Sequence, residues 1–184
     1  MKGKISSTRY RYGPVAQAFH WLTVILVIAA YVLSPGGSEE HVYSATGDAG
    51  RRMHETLGLS VFVLTLVRLV WRARDGAPVD PPMPAVMRYA AKIVHVTLYL
   101  LLFAVPLTAI LGAWLEGHPL TLLVAGDVAP LLPLAHGVGQ TFATIHTYLG
   151  DTIVWLAGLH AAAGLFHHFF LRDHVLRSML PKGD

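Results

Sequence analysis

His146 and His160 stand fourteen residues apart in one apolar segment, 142–171. Fourteen helical residues climb roughly 21 Å and return to within about 40° of the same face. That puts two imidazoles on one stripe, spread over much of a membrane core about 30 Å thick. Polar side chains without a partner are costly in lipid, so a repeated pair reads as ligands before it reads as packing. Neutral imidazole binds iron, and a flat iron porphyrin at each level would make a stack of two redox centres. Such a stack carries electrons across a bilayer.

Four elements have to position those ligands. The chain of 184 residues is 54% hydrophobic and 14% charged, where a soluble domain would carry about a quarter charged residues. Apolar stretches over about 15–33, 53–73, 89–115 and 142–171 each reach or approach the roughly 20 residues that a spanning helix needs. The expectation is an all-α integral membrane four-helix bundle, one domain over 1–184. The first stretch is long for the apolar part of a signal peptide, contains His20 and Trp21, and lacks a clear small-x-small cleavage site.

Charge orients the bundle. Lys2, Lys4, Arg9 and Arg11 precede the first span; Arg72, Arg74, Arg88 and Lys92 flank the second connection; Arg172, Arg177 and Lys182 follow the fourth span. Eleven basic residues fall on that side, two (Arg51 and Arg52) on the other, and Arg68 lies inside a span. The positive-inside rule then puts both termini in the cytoplasm. Glu39, Glu40, Asp48, Glu116 and Asp127 fall on the outer side. The sequence pI of about 9.3 is therefore a topology signal and no argument for nucleic acid.

With that orientation, depth pairs the histidines. His20 lies near the inner start of the first span, and His54 near the outer start of the second. In the fourth, His146 is outer and His160 is inner. The pairs are His54 with His146 and His20 with His160. Iron held by two imidazoles has no open position, so it passes electrons and does not activate oxygen. The absence of cysteine excludes thiolate iron–sulfur clusters, covalent c-type haem and disulfides.

Neighbouring residues agree. Gly58, Gly150 and Gly164 each follow a proposed ligand (His54, His146, His160) by four positions, and a missing side chain there leaves room for a flat ring against the backbone. Val24 breaks the pattern after His20. Arg68 follows His54 by fourteen residues, at inner-haem depth, where a charge costs about 2.5–3.5 kcal/mol and calls for a partner such as a haem propionate; snorkelling to the surface is the other reading. Arg51 and Arg52 could serve the outer haem similarly. His95, at the same depth as the inner pair, could contact a haem or a quinone, or replace His20. His167 and His168 are second-choice ligands. His41, His118 and His136 read as loop residues, and His174 as surface. Ser34–Pro35–Gly36–Gly37–Ser38 reads as a turn, Pro78, Pro81, Pro82 and Pro84 as a stiff connection, and Pro106 as a kink. The apolar loop 116–140 is expected to hold a short interfacial helix.

Other chemistries explain fewer residues. His54–Glu55 begins a zinc-protease pattern, but Gly58 stands where the second histidine belongs. No G-x-S-x-G elbow is present. A histidine-lined ion transporter would want acidic partners in the spans, and only Glu55 and Asp151 come close.

The segments Ala18–Phe19–His20–Trp21–Leu22, Met53–His54–Glu55–Thr56–Leu57–Gly58, Val67–Arg68–Leu69, Ile145–His146–Thr147 and Gly158–Leu159–His160–Ala161–Ala162–Ala163, with His167–His168, resemble the bacterial cytochrome b561 family over nearly the whole chain. The resemblance implies two haem b groups, ligated by His20, His54, His146 and His160, and a quinone partner in the bacterial inner membrane. The better-characterised type oxidises superoxide at the periplasmic face and reduces ubiquinone. Related four-helix haem proteins anchor dehydrogenases or hydrogenases, passing electrons between a partner subunit and quinone; the short tails here favour a self-contained protein.

Overall fold

Pro14 opens helix α1 (Pro14–Val32) behind Gly13, a first-turn position where the missing N–H costs nothing and the ring pre-sets φ. The computed structural model in which this is seen describes residues 11–36, 42–44, 47–76, 78 and 82–180. The expectations placed on Lys2, Lys4, Arg9, Gly37, Ser38, Glu39, Glu40, His41, Pro81 and Lys182 fall outside those residues.

Helix α2 (Asp48–Asp75) carries Asp48 in its first turn and Arg72 and Arg74 in its last, each charge opposing the nearer end of the helix dipole. It stops at Gly76, whose φ is 76°. Helix α3 (Ala85–Leu115) runs through Pro106 without a break. It ends in a Schellman turn in which Gly117, at φ 82°, and His118 donate their N–H groups to Trp114 O and Ala113 O. Helix α4 (His136–Phe166) passes into a π-helical turn, His167–Leu171. A 3₁₀ turn, Leu176–Met179, follows.

These four helices are long and apolar enough to cross a membrane, and they carry large apolar side chains outward, Trp155 at 81% exposure among them. An outward apolar face is what lipid requires. Inside, Val61, Leu101, Leu102 and Ile153 form the buried layer at mid-height. Thr65 is completely buried there, its hydroxyl returned to Val61 O at 2.7 Å.

Between α3 and α4 the backbones touch. A Cβ on Gly112 would sit 3.1 Å from Ala143 N, and one on Gly139 would sit 2.6 Å from Glu116 Cγ. Close approach through small residues is how membrane helices gain contact area without a hydrophobic drive between them.

The 116–140 connection holds no interfacial helix. It folds as an antiparallel hairpin of β1 (Leu120–Leu122) and β2 (Gly126–Val128), with Leu120 opposite Val128 and Leu122 opposite Gly126. Gly126, at φ 75°, supplies the left-handed residue that closes the reversal. At the opposite end of the bundle the two ends of the described chain meet, Tyr12 N–H donating to Ser178 O at 3.2 Å. We call these the hairpin end and the terminus end.

Candidate functional site

Helix α1 stops at Val32, so the carbonyls of its last turn lack helical partners. Leu33 N–H takes Ala29 O and Ser34 N–H takes Tyr31 O. His54, near the start of α2, takes Ala30 O through Nδ1 at 2.8 Å. Across from it His146 of α4 donates Nδ1–H to Val105 O of α3, also at 2.8 Å. A carbonyl can only accept, so both Nδ1 atoms carry the proton and both Nε2 atoms keep a lone pair. That tautomer is the metal-binding one, and a carbonyl on the other nitrogen is its usual orienting partner.

The two rings face each other with centroids 5.9 Å apart and planes at 81°. Two imidazoles bound through nitrogen on opposite sides of one metal, with bonds of roughly 2 Å, hold ring centres about 6 Å apart. Around them lies an open cleft of about 190 Å³. Gly58 and Gly150 line it, and a Cβ added at either would meet nothing within 4 Å. Leu120 and Leu122 of β1 close one side, while Val61 and Ile153 form the floor. Tyr31 and Asp151, both lining residues, join α1 to α4 by a 3.2 Å hydrogen bond. The cleft has the ligands, the flat walls and the apolar lining that a porphyrin needs.

At the terminus end His20 and His160 stand 6.5 Å apart at 74°. His95 of α3 joins them, its ring 5.2 Å from that of His160. Arg68 does not reach outward: Nη2 lies 3.4 Å from His20 Nδ1, and its guanidinium lies 5.3 Å from the Tyr99 ring. A guanidinium can only donate, so here His20 Nδ1 accepts and its Nε2 carries the proton. Ligation through that Nε2 requires Arg68 to release the ring, which the carboxylates of a bound haem would favour. The ring separation fits a shared metal; the hydrogen bond on His20 does not yet.

The other sequence-derived residues are distributed as follows. Arg51 and Arg52 both pair with Asp48, Arg52 at 2.8 Å, and Arg52 also reaches Asp127 at 3.3 Å. Arg51 is buried and leaves Nε without a hydrogen-bond partner. Neither arginine lines the cleft. Gly164 faces the side chain of Leu176, 3.8 Å from where its Cβ would be. His118 stacks on Tyr43 at 3.5 Å, while His136 and His174 are exposed. His167 Nδ1 contacts Asp173 Oδ2 at 2.5 Å, and His168 Nδ1 is buried with no hydrogen-bond partner. Among the described residues no three His, Cys, Asp or Glu side chains converge as a metal cage; the histidine rings face each other as a pair at the hairpin end and as a group of three at the terminus end, where His160 lies beside both His20 and His95.

Several participants carry no sequence signal. The Ala30 and Val105 carbonyls are backbone, and Tyr99 reads as an ordinary span residue. The chain segment after Arg172 folds back under α1, where Trp21 Nε1–H donates to Met179 O at 2.8 Å and Gln17 Nε2–H to Ser178 O at 3.2 Å.

The model of the prokaryotic cytochrome b561 family matches residues 11–182. The chain belongs to that family. It is 29% identical over 180 residues to cytochrome b561 homolog 2 of Escherichia coli (strain K12), covering 97% of this chain and 96% of the relative. The probable superoxide oxidase CybB of Yersinia pestis is 28% identical over 175 residues, covering 94% and 97%. Cytochrome b562 of Cereibacter sphaeroides is 31% identical over 171 residues, covering 89% and 91%. Membership makes the chain a haem b electron-transfer protein, a multi-pass component of the bacterial inner membrane. The family's cofactor matches the facing imidazoles at the hairpin end.

Proposed function

We propose that the chain is a two-haem wire that takes electrons from superoxide at the periplasmic face and delivers them to ubiquinone. The observation that carries the reading is the pair of facing histidine pairs, 5.9 Å and 6.5 Å apart, one toward each end of the same bundle. His54 and His146 would hold the haem at the hairpin end, and His20 and His160 the haem at the terminus end. Bound there, haem b supplies a reversible one-electron couple without an open coordination position.

The protein's own groups do the rest. Ala30 O and Val105 O hold the Nε2 lone pairs of His54 and His146 toward the cleft. Gly58 and Gly150 leave a ring's width free beside the backbone. Arg68 would turn from His20 to a propionate, neutralising it within the span. Arg51, at the hairpin end, has a buried unpaired Nε–H that would serve an outer propionate, with Arg52 beside it. Gly164 would pack the terminus-end haem from below. His95 stays outside both ligand sets, next to His160, as a contact for the haem or for quinone.

The balance is simple. Two superoxide anions each lose one electron and leave as dioxygen; the two electrons and two protons convert ubiquinone to ubiquinol. The positive-inside distribution supports an orientation with the hairpin end in the periplasm and both termini in the cytoplasm. The superoxide step draws its support from the Yersinia pestis relative, named a probable superoxide oxidase.

Haem type and number on the purified chain test the reading first, by pyridine haemochrome with a reduced-minus-oxidised spectrum. Two low-spin haem b groups per chain are expected, and pulsed superoxide should reduce added ubiquinone only when both are present. One haem per chain refutes the wire, and superoxide consumption unaffected by quinone refutes the acceptor.

A further inference from the structure

Glu55 sits beside His54 at the lining of the cleft, and its carboxylate reaches the hairpin. It accepts the backbone N–H of Thr121, and Thr121 Oγ–H donates to the same oxygen at 2.8 Å. One residue on, Thr56 Oγ accepts Leu123 N–H at 3.0 Å while donating to Arg52 O at 2.7 Å. Arg52 then reaches Asp127 on β2. Three successive contacts therefore fasten both strands to the first turns of α2, the stretch that bears His54.

What they fasten is a wall. Leu120 and Leu122 line the cleft, Thr121 and Leu122 are buried, and the tip residue Val124 is 94% exposed. A two-stranded hairpin of three residues a side is not stable in water by itself. Its position is set by these ties, and the carboxylate, a charged acceptor with two donors, is the strongest of them.

We propose that Glu55 is a positioning residue that pins β1 as a cover over one side of the His54/His146 cleft. The cover keeps bulk water and large solutes off the rings, while small solutes pass. Its consequence for catalysis rests on the reading above: a covered haem takes electrons from small diffusible donors and is shielded from protein-sized ones.

The chain contains no cysteine, so one introduced thiol reports on the cover without background. Leu122→Cys places it on the cleft wall, and Val124→Cys at the tip serves as the exposed control. The probe is a hydrophilic maleimide, applied to the full-length, haem-loaded chain in detergent. Leu122→Cys should label far more slowly than Val124→Cys. Adding Glu55→Ala should speed Leu122→Cys labelling by about tenfold to a hundredfold, the loss of a charged hydrogen bond. Glu55→Gln should restore slow labelling, because its amide oxygen accepts the same two donors. Thr121→Val, which removes the hydroxyl alone, should speed it less, and carries the test where Glu55→Ala does not accumulate.

Equal labelling of Leu122→Cys with and without the Glu55 and Thr121 changes overturns the proposal, as does labelling of Leu122→Cys as fast as Val124→Cys. The haem spectrum of each variant is read separately. One haem in the unsubstituted chain counts against the two-haem reading, whereas fast labelling with both haems present bears on the cover alone.

Discussion

Gly150 offers a substitution whose effects on folding and on haem content run in opposite directions. It lies mid-helix in α4, lines the cleft, and an added Cβ would meet no atom within 4 Å. Replacing a mid-helix glycine by a residue with a side chain stabilises a helix by about 0.5–1 kcal/mol when nothing clashes. Gly150→Leu should therefore leave the haem-free fold intact or slightly firmer. Its isobutyl group, however, would fill the space between the helix and the His54–His146 axis. Gly139→Ala is the matched contrast: its Cβ would lie 2.6 Å from Glu116 Cγ and 3.1 Å from Gly112 O. Overpacking of that kind costs about 1–3 kcal/mol, and it falls at the α3–α4 crossing, away from the lining of the cleft. The assay is haem stoichiometry by pyridine haemochrome beside a thermal melt followed by size-exclusion chromatography. Gly150→Leu should hold one haem per chain with an unchanged melt of the haem-free protein. Gly139→Ala should hold two and melt earlier. Two haems in Gly150→Leu would refute the assignment of the cleft as a haem site.

Replacing either His54 or His146 by Ala should remove one haem, and either His20 or His160 the other, while His95→Ala should retain both by the same spectral count. Arg68→Ala should lower the midpoint potential of the terminus-end haem alone, because loss of a nearby positive charge favours the oxidised state by on the order of 1 kcal/mol; a redox titration that shifts both haems, or neither, refutes the placement. The near-perpendicular ring pairs, at 81° and 74°, should give two strongly anisotropic low-spin signals in frozen-solution EPR, where parallel rings would give rhombic ones.

The sequence carried the bundle because its signals are local and periodic. Four long apolar stretches can only be spans, and a fixed rise per residue sets which histidines share a depth. His54 does lie beside His146, and His20 beside His160. Element ends were less legible. Helix α2 starts at Asp48 and α4 at His136, each several residues before the apolar run begins, since a helix extends past the membrane while its own hydrogen bonds continue. The hairpin has no clear signature, because Leu120–Val124 is mostly apolar and short, equally consistent with an interfacial helix. Its pairing depends on Gly126 and on the distant Glu55, which periodicity does not register. The inward turn of Arg68 is set by Tyr99 and His20 beside it, contacts that spacing along the chain does not encode.

If the chain holds the two proposed haems, the apolar layer of Val61, Leu101, Leu102 and Ile153 between them would make electron passage sensitive to voltage. No titratable side chain belongs to that layer, so an electron crossing it moves without a companion proton, and net charge is displaced. Helix rise sets the two histidine levels about 21 Å apart within a core of about 30 Å. A full crossing of one charge is worth about 2.3 kcal/mol per 100 mV, so this step would sample roughly two-thirds of the field. In the proposed orientation the electron travels toward the negative cytoplasm. An energised membrane would then act as a brake, slowing delivery to the terminus end, and collapsing the potential with an ionophore would release it.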